Sequence, residues 1–234
     1  MSRPLSGSLR NAPASLAVAL AALAALGCEG SSPLGLSPGP VVRQTRLAAP
    51  GPFLGKVAVM PFYPEGLPAA RVPEGVNEEA RAVGWQAADL IADTFSQQLA
   101  SRGVVVLAPA ELQDAFDAQG TPMPRLDARA VAELASRDLG ATSVVIGRVT
   151  RYRDREGSAG GASRPASVAF EASLHEAPGG RRIWIGRFDE TQVPLSSGLF
   201  RARSYPGGGT RWLSAEEMAR WGADEAARAL LEGP

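Results

Sequence analysis

The sequence predicts a single α/β domain in which a mixed β-sheet is flanked by helices. Three observations support this: a strand that is apolar on both faces, a long helical stripe that follows it, and two later strands joined by a short turn. A strand with two apolar faces needs cover on both sides, whereas a hairpin adds an antiparallel part to the sheet. The predicted element order is β-α-β-α-α-β-β-β-α.

The first predicted strand is "KVAVMPF", residues 56–62. Val57 and Val59 share one face, and the alternate positions Ala58, Met60 and Phe62 are also apolar. We therefore expect a central strand that is buried on both sides.

A helix is predicted over residues 78–101. Apolar side chains recur there at helical spacing, at Ala88, Ile91, Ala92, Phe95 and Leu99. Gly103 follows in the position where a glycine commonly ends a helix.

The next elements are a strand at 104–108, a short helix from Pro109 to Gly120, and a second long helix. Asp127 is the predicted N-cap of that helix, and Gly140 ends it.

Three strands complete the predicted sheet: "TSVVIGRV", "ASVAFEASLHE" and "RRIWIGRF". A glycine- and serine-rich connection, 157–163, separates the first two, and "APGG" forms a hairpin turn between the last two. The middle strand alternates apolar residues with Glu171, Ser173 and His175, which predicts one buried and one solvated face. His175 is therefore expected to be a surface or edge histidine.

The last predicted helix begins after Ser214. Ser214 and Glu217 have the spacing of a capping box, in which each side chain bonds the backbone N–H of the other residue.

The amino terminus has the layout of a secretory signal peptide. Arg3 and Arg10 precede the apolar run 16–26, and Gly27 and Cys28 follow it. Eleven residues span about 16 Å as a helix, roughly half of a bilayer core, so this run is too short to cross a membrane. Residues 1–27 are the predicted signal peptide, with Gly27 and Cys28 flanking the cleavage site.

Cys28 is the single cysteine of the chain, which excludes an intramolecular disulfide. The stretch "AALGC" resembles the lipobox of bacterial lipoproteins, and that resemblance implies a lipidated Cys28 that anchors the mature chain to the membrane. By similarity to enteric lipoprotein sorting, Glu29 favours the outer membrane and a periplasmic location. The alternative is an ordinary signal peptide followed by a free cysteine.

Residues 28–52 are predicted to be the lipidated cysteine and a flexible tether. Half of the 24 residues from 29 to 52 are Gly, Pro or Ser, a composition that buries too little apolar surface to fold. Residues 53–234 then form the folded domain, which is long enough for one core.

The phrases "KVAVMPF", "SRGVVVLAPAEL", "LGATSVVIGRVTRY" and "RRIWIGRF" resemble a group of periplasmic lipoproteins. The group includes the TolB amino-terminal domain, the curli-secretion lipoprotein CsgG and the lipoprotein activators of penicillin-binding proteins. The segment "FDETQ…GGGTRWLSAEEMARWG" is similar to uncharacterised lipoproteins of δ-proteobacteria.

This resemblance implies a non-enzymatic domain that binds an envelope protein or assembles with copies of itself. The connections 154–166 and 189–211 lack the alternation of membrane-barrel hairpins, which argues against a pore. We therefore expect a lipid-anchored binding or scaffold protein of the envelope. The alternatives are an envelope hydrolase that uses loop carboxylates and a ring-forming secretion or transport component.

The charges and reactive residues predict no cofactor, no metal and no catalytic group. The chain has 24 basic and 24 acidic residues, so its charge alone recruits no nucleic acid. One histidine and one cysteine cannot form a closed zinc site, and no nucleophile motif accompanies them. Asp189 and Glu190 would lie on opposite faces of a strand, which makes them a poor acid–base pair.

The connection 189–213 is too long and too apolar to be an ordinary linker. Its apolar and aromatic residues form a candidate partner surface: Leu195, Leu199, Phe200, Tyr205 and Trp212. Either they pack on the sheet or they contact a partner, and packing is favoured because exposed apolar patches are rare on soluble domains.

Overall fold

The computed structural model describes residues 41–47, 54–65, 78–120, 127–194, 196–197, 201 and 203–232. The predicted signal peptide, Gly27, Cys28 and the first part of the predicted tether lie outside these ranges, as do Leu195, Leu199 and Phe200.

The fold is a mixed sheet of seven strands in the order β1-β9-β8-β5-β2-β4, with β3 beside β5. Strands β2, β4, β3 and β5 pair in parallel, and β5, β8, β9 and β1 pair antiparallel. A separate pair, β6 and β7, forms a small hairpin. The strands are β1 (Val42–Arg46), β2 (Lys56–Val59), β3 (Tyr63–Pro64), β4 (Val105–Leu107), β5 (Ser143–Arg153), β6 (Glu156–Ser158), β7 (Gly161–Arg164), β8 (Ser167–Glu176) and β9 (Arg182–Thr191).

Within the described ranges, four α-helices flank the sheet: α1 (Glu78–Ser101), α2 (Pro109–Ala118), α3 (Ala128–Leu139) and α4 (Ala215–Glu232). The predicted α/β class with a mixed sheet is confirmed. Several predicted boundaries hold because their signals are local. Asp127 accepts from the N–H groups of Arg129 (3.0 Å) and Ala130 (3.1 Å), and Gly140 ends α3 at φ 65°.

Helices α1 and α4 cover one face of the sheet, over the larger core. That core includes the fully buried aromatic rings of Trp184, Phe62, Phe95, Phe170 and Phe188. Burying one such ring contributes about 1.5–3 kcal/mol. Helices α2 and α3 pack on the other face over a smaller core.

Strand β1 corrects the predicted tether. Residues 42–46 pair with β9 along the sheet edge, Val42 is 5% exposed, and Arg46 Nη2 donates to Leu230 O (3.0 Å). The composition of residues 29–52 predicted a coil, but the stretch "VVRQTR" contains no Gly, Pro or Ser. Its backbone supplies hydrogen-bond partners to β9, which sequence composition does not register.

The predicted connection 157–163 contains two short paired strands, β6 and β7, which the predicted element order did not include. Gly157 allows this hairpin with φ 114°, since a Cβ at that position would lie 2.5 Å from Gly161 O. The predicted element order therefore lacked β1, β3 and this hairpin.

Candidate functional site

One part of the sheet carries a polar surface instead of a helix-covered core. Helices α2 and α3 pack mainly against β2 and the beginning of β5. Beyond them, the strands β5, β8, β9 and β1 present charged side chains on the same side of the sheet. We call this surface the open face, and its residues are Arg43, Thr45, Arg148, Arg151, Glu171, Arg187 and Asp189.

The strand register places these residues side by side. Arg148 pairs with Glu171, Glu171 with Arg187, and Arg187 with Arg43, so one row crosses four strands. Directly paired residues on neighbouring antiparallel strands project from the same face, which puts their charged ends within contact distance.

Ion pairs hold this row together. Glu171 accepts from Arg187 Nε at 2.5 Å and lies 3.7 Å from Arg148 Nη2, and Arg148 Nη1 in turn donates to Glu65 at 3.0 Å. Arg151 pairs with Asp189 one row further along. Exposed ion pairs add only about 0–1 kcal/mol each, so their main effect is to order the surface.

A cavity of about 280 Å³ lies at the end of the open face nearest α3. It forms because the β8–β9 hairpin packs against the start of α3, where a Cβ on Gly180 would lie 2.6 Å from Arg129 Cα. We call it the Arg182 cavity, and it is lined by Tyr63, Ala128, Ile146, Gly147, Arg148, Glu171, Ser173, His175 and Arg182.

His175 is buried, at 8% exposure, which corrects the predicted surface or edge histidine. Strand β8 lies between β5 and β9, so its polar side is shielded by neighbouring strands and by the start of α3. The predicted solvated face of β8 is therefore wrong at Ser173 and His175, both 8% exposed.

The hydrogen bonds of His175 define its tautomer. Nδ1 donates to Gly180 O (2.9 Å), since a carbonyl oxygen only accepts, so Nε2 carries no proton and is an acceptor. It faces the Ser173 hydroxyl at 3.0 Å, whose single proton has two acceptors within reach, Nε2 and Ile146 O (3.1 Å). Burial lowers the pKa of His175 below its usual value. The imidazole is thus a neutral group that positions the Ser173 hydroxyl at the cavity wall.

This Ser–His contact lacks the third group of a catalytic triad. The group that orients the imidazole is the Gly180 carbonyl, not a carboxylate, and the Ser173 hydroxyl also lies 3.1 Å from Ile146 O. The arrangement is suited to hydrogen bonding rather than to activating the serine.

The structure confirms that Asp189 and Glu190 point to opposite faces of β9. The Asp189 side chain is 70% exposed on the open face, whereas Glu190 is buried at 5% and pairs with Arg201. The two carboxylates therefore do not converge on one site.

The described part of the 189–213 connection packs onto the domain. Gln192 is 3% exposed, donates to Arg211 O (2.8 Å) and accepts from Leu213 N (2.7 Å). Tyr205 is 2% exposed, with its ring edge-on to Trp221 at 5.4 Å. Tyr205 is therefore not a surface group for a partner, which corrects its place in the candidate partner surface.

Trp212 is partly buried beside a second, smaller cavity of about 140 Å³. Its backbone N–H donates to Ala159 O at 2.9 Å, which ties the connection to the β6–β7 hairpin. Of the five residues predicted as a partner surface, only Tyr205 and Trp212 fall within the described ranges.

Among the described residues, no group of three or more His, Cys, Asp or Glu side chains is placed to hold a metal ion. In the same part of the chain, every helix is too short or too polar to cross a bilayer.

Sequence reasoning did not find the open face or the Arg182 cavity. The available signal was the alternation of Glu171, Ser173 and His175 along β8, which marks the side of the sheet where both lie. The sequence did not show that β8 pairs with the positions of β5 and β9 that carry arginines.

No family model matches the chain, and no curated protein matches it significantly. Several solved structures are similar at low identity. A PelC dodecamer from Paraburkholderia phytofirmans is 14% identical, with a TM-score of 0.44, over 82% of this chain and 98% of that one. Lipoprotein GNA1162 from Neisseria meningitidis is 18% identical, with a TM-score of 0.42, over 63% and 90% of the two chains.

The carboxyl-terminal domain of LpoB from Salmonella enterica is 17% identical, with a TM-score of 0.33, over 59% of this chain and 84% of that one. One of these structures is described as a lipoprotein. The finer likeness to TolB or CsgG stays a prediction.

Proposed function

We propose that this chain is a non-enzymatic, lipid-anchored binding protein of a bacterial envelope that docks a partner protein on the open face. The observation that carries the proposal is the open face itself. It is an ordered, charged sheet surface to which β1, β5, β8 and β9 all contribute.

The amino terminus supports the anchor. Arg3 and Arg10, the apolar run 16–26 and the single cysteine at its end are the features of a lipoprotein signal peptide. A lipidated Cys28 would hold the domain at the periplasmic face of the outer membrane.

Strand β1 brings the domain nearer to this anchor than the predicted tether would. The chain between Cys28 and β1 is residues 29–41, thirteen in number. A chain of this length would span about 20 Å if it were a flexible coil, and at most about 45 Å if it were fully extended. Since β1 bears Arg43 and Thr45, the anchor attaches to the strand that forms one border of the open face.

A non-enzymatic role is supported by the placement of the reactive groups. Asp189 and Glu190 lie on opposite faces of β9, and the Nδ1 proton of His175 is held by a backbone carbonyl. An envelope hydrolase would need acid and base groups that converge.

The docking test places a photo-crosslinking residue at Arg187 or Arg43, on the open face, and at Arg220, on the outer side of α4, as the matched control. In intact cells, one envelope protein should be crosslinked from Arg187 and Arg43 but not from Arg220. Arg187→Glu should weaken crosslinking from Arg43. Equal crosslinking at all three positions, or none from the open face, would contradict docking there.

The anchor is tested separately with Cys28→Ala. This variant should lose palmitate labelling and remain soluble after osmotic release of the periplasm. Retention of the label would refute the assignment of Cys28 without affecting the crosslinking result.

Assembly with copies of the same chain is a second candidate, favoured by the β4 edge. Val105 is 58% exposed on this edge strand, and β4 contains no charged residue to discourage strand addition. Light scattering should then show a concentration-dependent oligomer that Val105→Lys dissociates and Ala100→Lys, at an exposed position of α1, does not. A wild-type monomer at high concentration would eliminate this candidate.

A further inference from the structure

We propose that the Arg182 cavity binds a small hydroxy-carboxylate, with the carboxylate at Arg182 and hydroxyl groups toward Glu171. This goes beyond docking of a partner protein, because the cavity lies between the start of α3 and the strands β3, β5, β8 and β9, and its volume suits a small molecule.

The charge balance of the cavity calls for one negative charge. Glu65, Arg148, Glu171 and Arg187 form a chain of ion pairs in which two carboxylates offset two guanidinium groups. Arg182 also lines the cavity, and none of the described carboxylates forms an ion pair with it. Since His175 is neutral, the exposed guanidinium group of Arg182 leaves the cavity lining with one positive charge that no described carboxylate balances.

A carboxylate ligand balances this positive charge better than a zwitterionic amino acid or a neutral sugar does. A guanidinium group binds a carboxylate through two parallel hydrogen bonds, and a single carboxylate balances a single arginine. A zwitterionic amino acid brings no net charge, and a neutral sugar leaves Arg182 unpaired.

The remaining polar groups suit hydroxyl groups on the ligand. Glu171 offers acceptor oxygens, and its side chain is 13% exposed. The hydroxyl of Tyr63 stays protonated, because burial raises its pKa, and it is available as a donor. Ser173, held by His175 Nε2, lines the same wall.

One polar atom in the wall lacks a partner. Arg148 Nε is buried and makes no hydrogen bond within the described part of the protein. A buried N–H without an acceptor is costly. Because this atom is closed to water, a ligand oxygen would reach it only if the Arg148 side chain moved, so recognition of the ligand depends on the exposed Arg182.

The size limits the ligand to a small molecule. A volume of about 280 Å³ lies just below the usual range for drug-sized ligands. Ile146 and Ala128 supply the apolar part of the lining. A sugar acid or a shorter hydroxy acid has the required chemistry.

The test is isothermal titration calorimetry on the full chain carrying Cys28→Ala, with D-glucuronate and glycolate as the two hydroxy-carboxylate probes. Two controls each lack one of the required groups. D-glucose has hydroxyl groups but no carboxylate, and acetate has a carboxylate but no hydroxyl group. We expect binding of D-glucuronate, of glycolate, or of both, and this result separates a sugar-acid site from a short hydroxy-acid site. Acetate should bind more weakly and glucose should not bind.

Two neighbouring variants make the test specific. Arg182→Ala should weaken binding about tenfold or more, because a charge-assisted bidentate contact is lost. Arg181→Ala should have no effect, since Arg181 pairs with Glu176 and does not line the cavity. The proposal is overturned if neither hydroxy-carboxylate binds at millimolar concentration, if glucose binds equally well, or if Arg182→Ala binds like the parent chain.

Discussion

The indole nitrogen of Trp184 donates a hydrogen bond to the side-chain oxygen of Gln44 at 2.9 Å. Trp184 is fully buried in the larger core, and Gln44 lies in the middle of β1. The bond therefore fastens the segment that follows the predicted anchor directly to the interior of the domain.

Removing β1 should destabilise the domain. A chain that begins at residue 53, the boundary predicted from sequence, loses the burial of Val42 and the bonds of Gln44 and Arg46. We expect it to be about 2–4 kcal/mol less stable than a chain that begins at residue 41. It should also aggregate more readily, because β9 becomes an unprotected edge. Urea unfolding and light scattering of the two chains measure both effects, and equal stability would show that β1 is dispensable.

Glu190 and Asp189 should respond very differently to loss of charge. Glu190→Gln removes the buried carboxylate of an ion pair with the partly exposed Arg201 and should cost about 3 kcal/mol. Asp189→Asn, one residue away, removes an exposed pair with Arg151 and should cost less than about 1 kcal/mol. Chemical denaturation of both variants at neutral pH gives the comparison. Similar losses for the two would contradict the burial of the Glu190–Arg201 pair.

Protonation of His175 should destabilise the fold in mild acid. Its pKa is lowered by burial, so below pH 6.5, its ordinary pKa, the unfolded chain binds a proton that the folded chain does not. This contribution to stability is present above pH 6.5 and is lost as the pH falls toward the folded pKa. The variant His175→Gln should lose less stability than the parent between pH 7 and pH 5, as measured by thermal unfolding. Parallel curves for the two proteins would argue against a buried neutral imidazole.

Protonation of Glu217 should destabilise the fold at a lower pH than protonation of His175 does. The side-chain hydrogen bond with Arg211 and the bond from the Ser214 N–H lower its pKa from 4.5 to about 2. The folded state thus favours the carboxylate, which stabilises the fold above pH 4.5, an effect lost as the pH falls toward 2. Glu217→Gln should flatten the stability curve in this window. Glu216→Gln, beside it on the exposed side of α4, is the control, because Glu216 pairs with Arg220 and not with the Ser214 N–H. An equal flattening in both variants would contradict the capping role of Glu217.

Elements with local signals could be predicted closely. Helix α1 runs over residues 78–101 as predicted, because its apolar stripe spans several turns. The start of α4 also agrees with the prediction. Ser214 N donates to Glu217 Oε2 (2.8 Å), and Glu217 N donates to Ser214 Oγ (3.1 Å). Such signals depend on residues three or four positions apart, which the sequence displays directly.

The candidate site could not be predicted in the same way. Its walls come from Tyr63 in β3, Arg148 in β5, Ser173 in β8 and Arg182 in β9, which lie far apart along the chain. Each of these residues has an ordinary surface explanation when read alone. Their convergence depends on the strand order and on the register between β5, β8 and β9.

The sequence by itself determined the α/β class and the principal helices with their caps, whereas the signal peptide and the lipidated Cys28 stay predictions. Periodicity, capping and targeting signals are local, so each can be recognised within a short window. Only the tertiary structure decided that residues 42–46 form an edge strand, that His175 is buried and that the open face joins four strands. These outcomes depend on which strands pair with each other and in which register. Strand pairing joins residues that are distant in the chain, so a short window of sequence does not show it.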